Sequence, residues 1–118
     1  MSITPGKYDI TLYRGSTFRQ TLTWKDQNGT AINLTGWTAR LQGRKSIPSD
    51  TPFITLTTEN GGITLGGAAG TIELYITHMA TAALVDDIGS YDLELIAGNG
   101  DVTRLMMGRI LVDPDVTR

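Results

Sequence analysis

The chain has 118 residues, 40% hydrophobic and 19% charged, the size and apolar content of one ordinary domain. Ten Lys and Arg against twelve Asp and Glu leave a net charge of −2, which argues against a protein held to nucleic acid or to an anionic membrane by bulk charge. With no cysteine and one histidine, His78, disulfide scaffolds, thiolate zinc sites and cysteine nucleophiles are excluded, and little is left for His-based catalysis.

From Met1 to Lys7 there is no basic start, apolar run or small-residue cleavage site, so the segment does not read as a signal peptide. No apolar run reaches the roughly eighteen residues a membrane-spanning helix needs. Thr occurs eighteen times, and its branched Cβ favours half-exposed strands. The dominant period is two. Tyr8, Ile10 and Leu12 share one face of the first run. Phe18, Leu22 and Trp24, with Gln20 among them, share a face of the second, opposite Thr17, Arg19, Thr21 and Thr23. Asn28-Gly29 supplies a tight turn. Trp37, Ala39 and Leu41 then alternate against Thr38, Arg40 and Gln42, and Pro48 and Pro52 bracket an exposed loop.

Strands are predicted over Phe53–Thr58 and Ile63–Leu65, separated by Asn60-Gly61-Gly62, and after the turn 66–70 a third places Ile72, Leu74 and Ile76 inward. Thr77–Val85 is the one stretch with short-helix character, capped by Thr77, with Met79, Ala80, Ala83 and Leu84 at helical spacing. Tyr91, Leu93 and Leu95 alternate against Asp92 and Glu94, and Gly98-Asn99-Gly100 turns into a last strand over Val102–Val112. Seven to eight short strands with regular turn signals predict an all-β, immunoglobulin-like antiparallel β-sandwich over residues 1–118, a single domain with one short helix before the tyrosine strand.

Asp87-Ile88-Gly89-Ser90-Tyr91-Asp92-Leu93 follows the Asp-x-Gly-x-Tyr-x-Cys spacing of such sandwiches, with Leu93 in place of the Cys. Tyr91 is then expected to close a corner by bonding upstream backbone. Trp37 becomes the core tryptophan, and Leu22 or Trp24 replaces the other half-cystine. A plain glycine turn before a buried strand is the competing reading.

Candidate chemistry is sparse. His78 has no marked carboxylate or nucleophile beside it, Asp86-Asp87 lacks the alternating acidic loop of a calcium site, and the Gly-rich turns lack a phosphate-loop pattern. No serine sits in a nucleophile elbow. These readings point away from an enzyme and give no metal or cofactor. Residues 1–59 carry +3 and residues 60–118 carry −5, an asymmetry suited to head-to-tail packing of copies, with Arg19, Arg40, Arg44 and Lys45 as the positive side. Random surface placement is the alternative, because a sandwich mixes strands from both halves. In the last strand Leu105 and Met107 lie on odd positions and Ile110 and Val112 on even ones, so a bulge is expected at Gly108. Leu105-Met106-Met107 is apolar on both faces, to be covered either by another chain or by the N-terminal segment.

The runs Tyr13-Arg14-Gly15-Ser16-Thr17-Phe18, Trp24 to Ala39 with its Leu34-Thr35-Gly36, Gly70 to Ile76 and Gly89-Ser90-Tyr91-Asp92-Leu93-Glu94-Leu95 carry a family likeness. Together they resemble small β-sandwich virion proteins of tailed bacteriophages, a group that includes tail collar and fibre-attachment proteins and the N-terminal domain of upper baseplate proteins. The resemblance implies a structural protein made in the host cytoplasm and resident in the virion tail. It further implies a homo-oligomeric ring that holds other tail proteins or fibres, with no catalytic residues. Without a long C-terminal extension the chain would itself be the ring or adaptor. Two other readings stay open: a capsid decoration protein, and a carbohydrate-binding module using Tyr13, Tyr75 and Trp37.

Overall fold

The computed structural model describes residues 6–45, 52–84 and 88–113, and the backbone of residues 2–3. Among the described residues ten strands follow one another: β1 Ser2–Ile3, β2 Gly6–Lys7, β3 Ile10–Tyr13, β4 Phe18–Trp24, β5 Thr38–Arg44, β6 Ile54–Thr57, β7 Ile63–Leu65, β8 Thr71–Ile76, β9 Ile88–Ile96 and β10 Val102–Asp113. A short helix, α1, spans His78–Ala82 between β8 and β9. The Pro48 end of the predicted loop and the pair Asp86-Asp87 lie outside the described residues.

The strands form two sheets, one in the order β1-β4-β8-β7 and one in the order β2-β10-β9-β5-β6, with β3 also running along β10. The period-two pattern sets which side chains meet between them. Ile10 and Leu12, Ala39 and Leu41, Ile72, Leu74 and Ile76, and Leu93 and Leu95 all point into one buried cluster. Leu12, Leu22, Leu74, Leu93 and Leu95 are fully enclosed, each a burial worth about 1.5–3 kcal/mol. The sandwich is all-β, as the alternation predicts.

Pairing is antiparallel except at the N-terminus, which departs from the expected pattern. β1 pairs in parallel with β4 of the first sheet, and β2 and β3 pair in parallel with β10 of the second. The chain therefore crosses from one sheet to the other within its first residues. Between β2 and β3 the backbone steps away from the ladder at Tyr8-Asp9. The Tyr8 amide still donates to the Met107 carbonyl at 2.8 Å, and the Asp9 carboxylate replaces a backbone acceptor by taking the Arg109 amide at 3.0 Å. Gly108 makes this approach possible: a Cβ there would lie 2.2 Å from the Tyr8 carbonyl oxygen.

Two expectations need correction, the bulge at Gly108 and the core position of Trp37. The bulge in β10 falls between Arg104 and Met106, not at Gly108, so Leu105 and Met106 both turn inward and are buried. Gly108 is instead a close-approach position. Trp37 is not the central core tryptophan: its amide closes a turn onto the Leu34 carbonyl, one residue before β5, and its half-buried ring meets Trp24 edge-on at 5.7 Å. Tyr91 bonds upstream backbone as expected, with the Tyr8 carbonyl as the acceptor. In α1 the Thr77 hydroxyl caps the helix by accepting from the Ala80 amide at 3.1 Å, yet Met79 is 71% exposed and the buried anchor is Thr81. The Thr81 hydroxyl accepts from the Gly15 amide at 3.1 Å and faces the Ser16 carbonyl at 2.8 Å, fastening the helix to the β3–β4 turn.

Candidate interaction surface

The outward face of the six-stranded sheet gathers the charged side chains. Because β9 lies between β5 and β10, its acidic residues stand between arginines drawn from both halves of the sequence. Cross-strand register sets Arg40 of β5 opposite Glu94, Gln42 opposite Asp92 and Arg44 opposite Ser90. On the other side of β9, Arg104 stands opposite Glu94, Met107 opposite Asp92 and Arg109 opposite Ser90. The face mixes four arginines with Asp92, Glu94 and, further along β10, the exposed Asp113, and the exposed Asp9 stands beside Arg109.

Its electrostatics divide along the strand. At one half the Arg40 Nε meets the Glu94 carboxylate at 2.7 Å, and the Arg104 Nε lies 3.5 Å from Asp92. Both pairs are solvent-accessible, so each contributes less than about 1 kcal/mol to stability and serves chiefly to order the side chains. At the other half Arg44 donates to the Gln42 amide oxygen at 2.9 Å, and the row Arg44–Ser90–Arg109 has a neutral hydroxyl at its centre. A shallow cleft of about 330 Å³ runs over Arg40, Gln42, Arg44, Ser90, Asp92 and Glu94. Beyond Arg109 the face turns apolar: Leu111 and its cross-strand partner Ile88 are both partly exposed, and Tyr13 at the sheet edge is 60% exposed.

The sequence-predicted site residues separate in space. Arg40 and Arg44 share this face, and the exposed Lys45 follows directly after β5. Met107 is also exposed here, between Lys7 and Asp92. Arg19 is elsewhere, on β4 of the other sheet, where its guanidinium lies 4.8 Å above the Tyr75 ring. Leu105 and Met106 are buried in the chain's own core and offer no surface. Of the two covers expected for this part of β10, the structure shows the N-terminal segment: β2 and β3 line the strand, and β2 pairs at Met106 and Met107. Arg104 and Arg109 were missed. Their exposure follows from alternation in β10, but only once the bulge is placed before Met106. Splitting the chain into a basic and an acidic half also fails as a map of the surface, since β9 is inserted between its more basic neighbours.

Tyr13, Tyr75 and Trp37 form no shared aromatic platform: Tyr13 lies on β3, Tyr75 on the opposite sheet beneath Arg19, and Trp37 packs against Trp24. Among the described residues no group of three or more His, Asp or Glu side chains is placed to hold a metal ion, and no helix is long and apolar enough to cross a membrane. His78 is exposed at the first position of α1.

No protein-family model matches the chain, and no curated protein matches it. Solved structures do. The chain is similar to the N-terminal domain of phage TP901-1 ORF48, with a TM-score of 0.54 and 10% sequence identity over 95% of this chain and 96% of that one. It is also similar to a chicken TCR, with a TM-score of 0.52 and 11% identity, covering 98% of this chain and 56% of that one. At such identities the likeness shows the fold alone. The class thus defined is the two-sheet, immunoglobulin-like β-sandwich.

Proposed function

We propose that this chain is a structural protein of a bacteriophage virion, a tail collar or baseplate adaptor that assembles in multiple copies and holds neighbouring tail proteins or fibres. The observation that supports this reading most directly is the end-to-end likeness to a phage domain: this chain and the phage TP901-1 ORF48 domain match over 95% and 96% of their lengths, whereas the TCR match spans 56% of the receptor chain. The short motifs from Trp24 to Ala39 and from Gly89 to Leu95 point to the same group. Function on this reading is assembly, in which many modest contacts repeated on identical surfaces add up through multivalency. The chain performs no catalysis.

Counting copies per particle tests the reading and separates it from its nearest rival. Purified virions of the phage that encodes the chain should contain it at a copy number matching the rotational symmetry of a tail. A copy number scaling with the surface lattice of the head would make it a capsid decoration protein. Absence from particles would end the virion reading altogether.

A further inference from the structure

The outward face of the six-stranded sheet ends in a short row with a pattern of its own. Burial alternates along β10, so Arg109, Leu111 and Asp113 point outward while Ile110 and Val112 point into the core. Register against β3 sets Thr11 beside Leu111 and Tyr13 beside Asp113, both exposed. Register against β9 sets Ile88 on the other side of Leu111. A shallow groove of about 380 Å³ is lined by Thr11, Leu111, Val112 and Asp113. The row therefore reads as a cation, an apolar centre and a carboxylate, with Tyr13, Leu111 and Ile88 supplying exposed apolar surface.

Within the chain the two ends of the row stay apart. Residues four positions apart on one strand stand roughly 13 Å from each other, and no ion pair joins Arg109 or Asp113 to another described side chain. Asp9 beside Arg109 accepts the Arg109 amide, and the exposed Lys7 follows on the same edge opposite Met107. Lys7, Asp9, Arg109 and Asp113 sum to zero, so net charge at this end does not repel another copy of it. Two such faces stacked with their strands in the same direction would set Arg109 on Arg109 and Asp113 on Asp113, which like-charge repulsion disfavours. Turned end for end about Leu111, they set Arg109 of one copy on Asp113 of the other, twice, with the two Leu111 side chains between. The row is its own complement, which is what a two-fold contact between identical surfaces requires.

We infer that the Arg109–Leu111–Asp113 row is a two-fold contact surface for a second copy of this chain, with the two β10 strands stacked antiparallel and Leu111 at the axis. The inference rests on the proposed multi-copy assembly and names one of its contacts. The overlap is small: three strands about 4.8 Å apart over a length of roughly 13 Å cover well under the ~800 Å² per partner of a standard interface. Each pair is weak on its own and is steadied by the other contacts of the assembly.

Site-directed crosslinking tests it, because the chain has no cysteine of its own. Thr11→Cys places a thiol next to the axis, roughly 10 Å from its counterpart across two stacked sheets. Val102→Cys places one at the far, exposed end of β10. With a short bis-maleimide, Thr11→Cys should crosslink to a dimer about tenfold faster than Val102→Cys. Added to Thr11→Cys, Arg109→Asp should slow the reaction about tenfold, and Arg109→Asp together with Asp113→Arg should restore it, since the swapped row is again its own complement. Melting temperature shows that each variant is folded, and Asp113→Arg alone replaces Arg109→Asp if the latter unfolds. Equal rates at the two cysteines, or no recovery in the folded double variant, would overturn the contact. A parent that forms a multimer while Thr11→Cys does not crosslink would also overturn it, assigning the face to another neighbour and leaving multi-copy assembly standing. A parent that stays monomeric, with no crosslink, would overturn both.

Discussion

The Tyr91 hydroxyl donates a hydrogen bond to the carbonyl of Tyr8, a residue 83 positions earlier in the chain. Tyr91 lies in β9, Tyr8 lies in the break between β2 and β3, and β10 runs between them, with Gly108 opposite Tyr91. One side chain thus reaches past the glycine of its neighbouring strand to hold the segment beyond. Gly108 on β10 and Gly43 on β5 stand opposite Tyr91 on its two neighbouring strands.

Replacing Tyr91 by Phe removes this bond and leaves the Tyr8 carbonyl without its phenol partner. Urea denaturation should show a loss of about 1–2 kcal/mol. Burial pushes the Tyr91 phenol well above its ordinary value, with the Asp9 carboxylate and Tyr8 adding to the effect. The unfolded phenol ionises near pH 10, roughly, whereas the folded one keeps its proton beyond that. The stability contributed by this group is therefore complete below about pH 10 and declines as pH rises above it. The Phe variant should show a shallower alkaline decline than the parent. Identical pH profiles would mean that Tyr91 titrates freely in the folded state.

Gly108→Ala places a methyl against main chain rather than against a movable side chain, at 2.2 Å from the Tyr8 oxygen. The N-terminal segment must shift, and a loss of about 1–3 kcal/mol is expected. Hydrogen exchange should localise the damage: the Tyr8 and Arg109 amides, whose bonds to Met107 and Asp9 depend on this approach, should lose protection before the centre of β9 does. Uniform loss of protection would place the defect in the core instead.

Much of this architecture was legible locally. Alternation identified the inward faces of Ile10 and Leu12, Ala39 and Leu41, Ile72 to Ile76, and Leu93 and Leu95, because a strand's side chains must alternate whatever its neighbours are. The turn at Asn28-Gly29 was equally readable, and Gly29 has a φ of +83°. What was not legible depends on partners distant in sequence. The parity change in β10 was visible, but whether Leu105 or Gly108 absorbs it is decided by the register against β9. Gly108 is needed for the approach of Tyr8, a contact that no local pattern announces. The arginine face likewise exists only because β9 lies between β5 and β10, an order that alternation does not specify.

Thr81 was hidden for a related reason. A threonine between alanines on a short helix reads as part of the polar side, yet it is the buried residue of α1 and its hydroxyl serves the β3–β4 turn. Thr81→Val keeps the shape and removes the hydroxyl, leaving the Gly15 amide and Ser16 carbonyl short of a partner. A loss of about 1–3 kcal/mol is expected in thermal or urea unfolding. Thr81→Ser retains the hydroxyl and should recover most of it; equal losses in both variants would assign the effect to packing.

The central proposal is that copies of this sandwich assemble, and absolute mass by light scattering across concentration and ionic strength tests it most directly. The proposed assembly predicts a discrete multimer whose mass holds steady over a concentration series, and the salt series shows how far charge contributes to it. A monomer at every concentration and salt would contradict it.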